Sequence, residues 1–476
     1  YEVLKQIKQA WDPENIFNPG KITATAPMDT SLRYEPGKPT PQFNTVFDFS
    51  HDGGILRAAE KCNGSGDCRK SHLIGGTMCP SYMAGRNENM TTRARANILR
   101  EFLTHSNREN PFSHKEIYDV MDLCLSCKGC KSECPSNVDM ARYKAEFLQH
   151  YYDEHGVPLR ALAIANITRI NRLGSIAPGI YNFMVTQPAI SSLMKKALGM
   201  AEQRSLPTLS PDHLTTWLKN YKQQLPELLP QRKVYLFLDE FTDFNDAHVG
   251  IAAVKLLNAL GYWVLGIGGV ESGRTYLSKG LVRRARKCAI DNVVIFKDKV
   301  SDEVPLVGIE PSAILSFRDE YPDLVGPELK EAALKLSKNC LMFDEFFMKE
   351  VKAGHITRGQ FTTAPLKIKL HGHCHQKALS TTGPTKEMLS FPENYTVEEI
   401  PSGCCGMAGS FGYENEHYEL SMKIGELVLF PSVRKAEKAT IIAAPGTSCR
   451  HQIKDGTGRE ALHPVEVMYR SAVGSR

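Results

Sequence analysis

The stretch Cys124–Pro135, C-L-S-C-K-G-C-K-S-E-C-P, decides the fold of this chain. Its cysteines follow the spacing C-x₂-C-x₂-C-x₃-C-P, in which three close thiolates hold one corner of an iron–sulfur cubane and the cysteine before proline serves a second cluster. A disulfide framework is the weaker interpretation, because this is a long chain of 476 residues without a secretory signal. The stretch therefore predicts two clusters and a second cysteine motif elsewhere in the chain.

The second cysteine motif lies upstream and is altered. It contains Cys62, Cys68 and Cys79-Pro80, but Ser65 stands where a regular run has its second cysteine. Helical patterns without strands surround both motifs. Residues 51–155 are therefore predicted to form an α-helical two-cluster ferredoxin domain.

Crossed ligation divides the seven cysteines between two sites. One cubane is expected at Cys79, Cys124, Cys127 and Cys130. The other site is left with Cys62, Cys68 and Cys134. This second site is one ligand short, which leaves two alternatives open. It holds either a [3Fe–4S] cluster or a [4Fe–4S] cluster whose fourth iron binds Ser65, His72 or water.

A strong helix is predicted over Thr92–Leu103, capped by Thr91. Its arginines are Arg93, Arg95 and Arg100. We expect them to lie on a solvated or ion-pairing face. The alternative is that they offset the negative charge of a nearby cluster.

Composition limits the class of protein. A net charge of +5 is small for 476 residues, and no long basic block suggests nucleic-acid binding. No apolar run approaches the roughly 18 residues that span a bilayer. The thirteen cysteines are mostly clustered, which fits metal ligation in a reducing compartment. A cytoplasmic protein is expected, with peripheral membrane contact on the cytoplasmic face as an alternative.

The remaining segments before the α/β part differ in composition. Residues 1–22 form an amphipathic helix followed by a turn at Asn18-Pro19-Gly20. Residues 23–50 are rich in Pro and Thr and are predicted to be a linker. Residues 156–232 contain short helical pieces separated by prolines and form a helical connector. Its mixture of apolar side chains with Arg169 and Arg172 leaves contact with a membrane or a quinone-bearing partner open.

From residue 233 the pattern changes to alternating strands and helices, which predicts two α/β repeats over 233–350 and 351–476. In the first repeat, strands are expected at Val234–Leu238, Tyr262–Leu265, Val293–Phe296 and Leu306–Ile309. In the second, strands are expected at Ile368–Leu370, Tyr395–Ile400 and Ile441–Ala444. The fold class is thus mixed, with a helical domain followed by two α/β repeats.

When the two repeats are superposed in sequence, the cysteines fall in one copy only. The second copy has Cys374, Cys404, Cys405 and Cys449, where the first has Glu240, Glu271, Ser272 and Ala313. All four follow predicted strands, where sites gather in α/β folds. Adjacent Cys404 and Cys405 favour an iron–sulfur cluster, with zinc next and a bare thiol or disulfide last. His371, His373, His375 and His451 are expected to support these ligands rather than to bind metal.

These motifs resemble known families. The pattern around S-G-C-C-G-M-A-G-S-F-G-Y-E is similar to the CCG repeat of heterodisulfide reductases and of iron–sulfur subunits of glycolate and glycerol-3-phosphate dehydrogenases. The ending D-P-x-x-I-F-N-P-G-K of residues 1–22 resembles the tail of FAD-linked oxidases of the vanillyl-alcohol-oxidase type. With C-N-G-S-G-D-C-R-K and G-T-M-C-P-S-Y, the whole order resembles the C-terminal part of FAD-linked D-2-hydroxyacid dehydrogenases, including the D-lactate, glycolate and D-2-hydroxyglutarate types.

The resemblance implies an electron-transfer module. FAD and the substrate site would lie in an upstream domain of the same polypeptide, and the clusters would carry electrons to a quinone or another acceptor. The CCG cysteines would hold an iron–sulfur cluster or zinc. Two alternatives remain: thiol–disulfide chemistry at the CCG site, as in heterodisulfide reductases, or a zinc-stabilised docking domain.

Overall fold

A computed structural model describes residues 1–30, 37, 39–227 and 231–473. Parts of the predicted linker (31–36 and 38), of the connector (228–230) and of the second repeat (474–476) lie outside the described residues. The chain divides into two compact units, Tyr1–Gln42 and Phe43–Arg476. The second unit contains the ferredoxin, connector and α/β regions together.

Among its described residues the first unit contains one helix, α1 (Glu2–Trp11). Its end is fixed by Asp12, whose carboxylate accepts hydrogen bonds from the Ile16 and Phe17 amides. These bonds satisfy donors in the turn that follows, so the chain reverses at this point. The apolar face of α1 is exposed and consists of Val3, Leu4, Ile7 and Trp11.

The cysteine-rich region is helical, and no strand occurs among the described residues 43–155. Its α-helices are α2 (Ile55–Glu60), α3 (Pro80–Gly85), α4 (Thr92–His105), α5 (Lys115–Asp122), α6 (Gly129–Glu133) and α7 (Met140–His155). The Thr91 side chain accepts a hydrogen bond from the Ala94 amide and starts α4, as the sequence predicts. Asp139 caps α7 in the same way through the Arg142 amide.

The described part of the connector contains five short helices, several of which begin at a proline or just after one. They are α8 (Leu159–Ala165), α9 (Ile167–Gly174), α10 (Pro178–Thr186), α11 (Pro188–Ala197) and α12 (Leu214–Asn220). Proline is favoured in the first helical turn, where its missing N–H has no intrahelical partner. The prolines therefore divide this region into pieces.

The next region has a parallel sheet of order β2-β1-β3-β4. Its strands are β1 (Arg232–Phe237), β2 (Tyr262–Ile267), β3 (Leu306–Gly308) and β4 (Cys340–Met342). The helices between and after them are α13 (Glu240–Phe244), α14 (Ala247–Ala259), α15 (Arg274–Ser278), α16 (Val282–Phe296), α17 (Pro311–Ile314), α18 (Ser316–Asp319), α19 (Tyr321–Leu324), α20 (Pro327–Ser337) and α21 (Phe343–Lys352).

The last region has a second parallel sheet of order β6-β5-β7, extended by a parallel bridge from Ala443 to Leu462. Its strands are β5 (Leu366–Leu370), β6 (Tyr395–Glu399) and β7 (Ile441–Ala443). Its helices are α22 (Cys374–Leu379), α23 (Gly383–Leu389), α24 (Tyr418–Leu427), α25 (Leu429–Lys435), α26 (Thr447–Thr457) and α27 (Pro464–Ser471). The two sheets place their first three strands in the same order, as a repeat would. The internal repeat itself stays a prediction.

One predicted strand is wrong. Val293–Phe296 is the last turn of α16 and not a strand. The residues Ala285, Ala289, Val293 and Phe296 are buried on one side of this helix. Their spacing of three and four residues is helical, and this tertiary burial overrides the β-propensity of a short Val-Val-Ile run.

The α/β sheets are joined by a common core. Buried residues of both sheets, such as Val234 and Ile368, belong to one apolar cluster together with residues of α14, α21, α23 and α27. A separate cluster combines the helices of the cysteine-rich region with α16, α18 and α19. The first sheet region is therefore packed against the second sheet region on one side and against the cysteine-rich helices on another.

Candidate metal centres

The structure brings four ferredoxin cysteines to one cavity. Cys79, Cys124, Cys127 and Cys130 all line it. Cys79 directly precedes α3, Cys124 and Cys127 belong to the loop between α5 and α6, and Cys130 lies in the first turn of α6. These are the four cysteines that the spacing assigns to one cubane.

The loop is shaped by left-handed backbone. Ser126 and Lys128 have φ of 53° and 60°, which folds the chain back after each cysteine. The Ser126 amide donates a hydrogen bond to Cys124 Sγ at 3.4 Å. Amide donors of this kind stabilise a thiolate, and a cluster ligand has to be a thiolate.

Burial makes these thiols poor acids on their own. The pKa values of Cys127 and Cys130 are raised well above the ordinary value, mainly because burial disfavours the thiolate. Neighbouring thiolates add to the effect: Cys374 and Cys79 act on Cys127. Iron would supply the positive charge that lets these sulfurs lose their protons together.

Arg95 does not lie on a solvated face, contrary to the first expectation for the α4 arginines. Its side chain is fully buried. It donates from Nη1 to Cys79 Sγ at 3.4 Å, from Nη2 to Ser81 Oγ at 3.2 Å and from Nε to the Val120 carbonyl at 3.1 Å. A buried guanidinium needs a negative partner, and Cys79 would become one as a cluster thiolate.

The second ferredoxin site is less fully assembled. Cys68 is buried, and its pKa is raised by burial and by the neighbouring Cys79 and Cys62. Cys134 follows α6 and is half-buried. Of the proposed fourth ligands, Ser65 is exposed. His72 lines a cavity with Cys404 and has a buried Nδ1 without a hydrogen-bond partner among the described residues.

The CCG cysteines meet at the carboxyl ends of the second sheet. Cys374 begins α22 after β5, Cys404 and Cys405 lie in the loop after β6, and Cys449 lies in α26 after β7. Their thiols form a chain of hydrogen bonds in which Cys404 donates to Cys374 and to Cys405, and Cys449 donates to Cys405. All four are buried. Four converging sulfurs fit an iron–sulfur cluster or zinc by their donor chemistry.

These hydrogen bonds lower the pKa of two of the thiols and raise the pKa of the other two. The hydrogen bond with Cys404 lowers the pKa of Cys374 to about 7. It also holds the pKa of Cys405 well below the ordinary value. The same bonds raise the pKa of the donors Cys404 and Cys449.

His371 is a site residue that the sequence did not identify as a ligand. One of its ring nitrogens lies with the sulfurs of Cys405 and Cys449 in a group whose atoms are all within 4.8 Å of one another. Its Nδ1 is 2.7 Å from Ser402 Oγ, while Nε2 is buried and has no partner of good hydrogen-bond geometry in the described chain. Burial lowers the pKa of His371 and so favours the neutral ring that binds metals. Its position directly after β5 was the available signal.

The other histidines have different contacts. His373 caps α22 by accepting the His375 amide at 3.2 Å. His375 Nε2 is 3.0 Å from the Ser126 carbonyl of the ferredoxin loop.

The two cysteine sites are direct neighbours. Cys127 of the first site belongs to one buried cluster with Cys374 and Cys404 of the second. The loops pack closely: a Cβ on Gly403 would lie 2.7 Å from the Gly76 carbonyl oxygen and 3.2 Å from Thr77 Cα. Only glycine fits there without a shift. Residues of the two sites therefore pack directly against each other.

Two family models match parts of the chain. The 4Fe-4S dicluster domain matches residues 61–139, and the C-terminal domain of FAD linked oxidases matches residues 1–22. The chain is 27% identical to D-2-hydroxyglutarate dehydrogenase of Escherichia coli K12 and 28% identical to that of Pseudomonas putida, with 98% and 99% of its length aligned. It is homologous to D-2-hydroxyglutarate dehydrogenases. This confirms the resemblance to FAD-linked D-2-hydroxyacid dehydrogenases.

The extent of these matches is uneven. The chain spans about half the length of the curated relatives it matches, 48% for the Escherichia coli protein. It is also 25% identical, over 67% of its length, to one of the subunits of the anaerobic glycerol-3-phosphate dehydrogenase of Escherichia coli K12. In the described part of the chain, no helix is long and apolar enough to cross a membrane. The comparisons support iron–sulfur binding, while the second ferredoxin cluster and the metal at the CCG site stay predictions.

Proposed function

We propose that this chain is the iron–sulfur electron-transfer module of an FAD-dependent D-2-hydroxyacid dehydrogenase. Electrons from reduced flavin would pass through its centres to a quinone or another acceptor. The observation that carries the proposal is the direct packing of the Cys127 site against the Cys374 site. Two redox centres in contact across one layer of side chains form a continuous route for single electrons.

The proposed ligands follow the predicted assignment. A [4Fe–4S] cluster would be held by Cys79, Cys124, Cys127 and Cys130, and a second cluster of open nuclearity by Cys62, Cys68 and Cys134. A cluster or zinc would be held by Cys374, Cys404, Cys405 and Cys449. When bound, such clusters supply one-electron transfer at potentials that the protein sets. FAD and the substrate site belong to an upstream domain in this proposal.

The residues of this chain would position and tune the centres. Hydrogen bonds reach three of the sulfurs at 3.4 Å: from the Ser126 amide to Cys124, from the Gly406 amide to Cys404, and from Arg95 to Cys79. Such donors favour the more negative, reduced form of a cluster and raise its potential. Buried apolar neighbours such as Leu125, which belongs to the cluster around Cys127 and Cys374, keep water away.

The partners are part of the same proposal. The upstream FAD domain would deliver electrons, and a quinone or similar acceptor would remove them. We further propose a cytoplasmic protein that contacts the membrane peripherally, with no role for nucleic acid.

A second candidate function is thiol–disulfide chemistry at the CCG site. The lowered pKa values of Cys374 and Cys405 favour it, because a thiolate is the attacking species in such exchange. The first sheet region has no corresponding cysteines, which weakens this alternative. A zinc-stabilised docking domain is the third alternative, and the His371 ring beside Cys405 and Cys449 would suit it.

The test is electron paramagnetic resonance with iron and zinc quantitation on protein prepared without oxygen. We expect Cys127→Ser to lose one cluster and Cys405→Ser to lose iron from a different signal. Cys288→Ser is the matched control, because Cys288 lies in α16 outside both sites. If the metal that Cys405→Ser loses is zinc and not iron, the zinc-stabilised docking alternative is established. Iron unchanged in both variants would contradict the proposal.

The electron route is tested in the polypeptide that joins this chain to its flavin domain. D-2-hydroxyglutarate should reduce the flavin in both the wild type and Cys127→Ser. Rapid reduction of an external quinone should occur only in the wild type, with at least a roughly tenfold loss in the variant. Equal rates of quinone reduction would refute the route.

A further inference from the structure

The connector helices α9–α11 bury polar residues and expose apolar ones, which is the reverse of an ordinary surface helix. Their buried residues are mostly polar: Thr168, Asn171, Val185, Ser191 and Lys195. Their large apolar residues face outward. Leu173, Ile176, Ile180, Phe183 and Leu193 are each between 60% and 82% exposed. We name these five residues the connector patch.

The patch extends over neighbouring elements. Leu173 is in α9, Ile176 lies between α9 and α10, and Ile180 and Phe183 are three residues apart in α10. The helices α9, α10 and α11 also pack against each other in order. Soluble proteins rarely expose contiguous apolar surface of this kind unless it binds something.

The charged residues of the segment that carries the patch have one sign. Residues 156–201 contain no aspartate or glutamate, and they contain five basic residues, Arg160, Arg169, Arg172, Lys195 and Lys196. Arg169 and Arg172 are exposed on α9 beside Leu173. Neither forms an ion pair with another residue that the structure describes. Arg160 and Lys196 pair with Glu416 and Glu202, so the uncompensated positive charge beside the exposed apolar side chains is that of Arg169 and Arg172.

We propose that the connector patch lies on the surface of a bilayer that contains anionic lipids. Apolar side chains would enter the boundary of the acyl chains, and Arg169 and Arg172 would contact lipid phosphates. A second copy of the chain is the weaker occupant, because a two-fold interface would bring the same positive charges face to face. The helices are too short to span the bilayer, so the contact is peripheral.

The inference rests on the proposed function in one respect, namely that the acceptor is a quinone dissolved in that bilayer. A cavity of about 80 Å³ lies beside Cys124 and is lined by Arg160 and Ala161 of α8, the helix just before the patch. Docking through α9–α11 would therefore bring the Cys124 side of the cluster site near the lipid surface.

The test is co-sedimentation of the whole protein with vesicles of phosphatidylcholine alone or of equal parts phosphatidylcholine and phosphatidylglycerol. We expect binding to the anionic vesicles, weakened by salt. The double changes Leu173→Gln with Phe183→Gln, and Arg169→Gln with Arg172→Gln, should each weaken it by about tenfold or more. The control is Leu334→Gln with Lys335→Gln on α20, which removes an exposed apolar and an exposed basic side chain elsewhere.

Iron content measured on each variant shows that the fold and centres are intact. Equal binding to both vesicle types, or unchanged binding by both patch variants, would overturn the proposal. A dimer in sedimentation velocity that the apolar variant abolishes, without lipid binding, would assign the patch to a second copy instead. Lipid binding by Cys127→Ser separates this inference from the electron route, since the patch does not depend on a filled cluster site.

Discussion

At the scale of single residues, Arg95 is the buried cation beside the proposed cluster site. It is buried without a carboxylate partner among the described residues and donates to Cys79 Sγ. A positive charge beside a cluster stabilises the reduced form, which carries one more negative charge. We predict that Arg95→Gln lowers the reduction potential of that cluster by roughly 60 mV, a tenfold change in a one-electron equilibrium.

A redox titration followed by electron paramagnetic resonance measures this shift. Arg95→Lys keeps the positive charge, so its reduction potential should stay close to the wild-type value. A shift in Arg95→Gln alone then reflects the lost charge and not a structural change. Arg100→Gln is the control on the same helix, because Arg100 donates to Asn97 and not to a cysteine. A potential that is the same in Arg95→Gln as in the wild type would contradict the role.

At the scale of elements, a buried charge network fixes α6 against α18. Lys128 is buried between Cys127 and Cys130, and its Nζ pairs with Asp319 and lies 3.0 Å from Glu320 Oε1. Asp139 is 3.5 Å away. Lys131 and Arg142 also pair with Asp319, and Arg274 pairs with Glu320. We predict that Lys128→Met destabilises the protein by about 3 kcal/mol, because it removes the fully buried cation of this network.

The midpoint of urea denaturation measures this loss. Lys367→Met is the matched control, since Lys367 pairs with Glu437 at 3.2 Å while both side chains are exposed. That change should stay within about 0.5 kcal/mol of the wild type. Comparable midpoints for the two variants would show that the network contributes little to stability.

At the scale of the whole molecule, His417 connects the CCG region to the cysteine-rich helices. Its Nε2 is 2.9 Å from Asp122 Oδ2 at the end of α5, and its Nδ1 is 3.0 Å from Glu414 Oε2. Burial disfavours the charged ring, but the hydrogen bonds to Asp122 and Glu414 outweigh it and raise the pKa of His417. Lys279 and Arg160 also face this group through Glu414.

The sign of the pH effect follows from the raised pKa. The contribution of His417 to stability is complete below its unfolded pKa of about 6.5 and is lost as pH rises through the higher folded value. We predict that the wild type becomes less stable over this range and that His417→Gln removes this part of the slope. Urea denaturation at several pH values measures it. His105→Gln, which changes an exposed histidine on α4, should keep the wild-type slope.

The sequence by itself predicted iron–sulfur binding, because ligand spacing is local. The run from Cys124 to Cys134 and the incomplete motif around Ser65 were readable without a fold, as was the cap of α4. The positions of the CCG cysteines after strands were also predictable from alternating strands and helices. Local patterns carry this information because they depend on neighbours in the chain.

Tertiary structure decided the rest. Packing made Val293–Phe296 helical, buried Arg95 against Cys79, and placed His371 beside Cys405 and Cys449. It also put Cys127 next to Cys374, although 246 positions separate them in the chain. No periodicity records such contacts, because burial and charge compensation depend on which surfaces meet after the elements have formed.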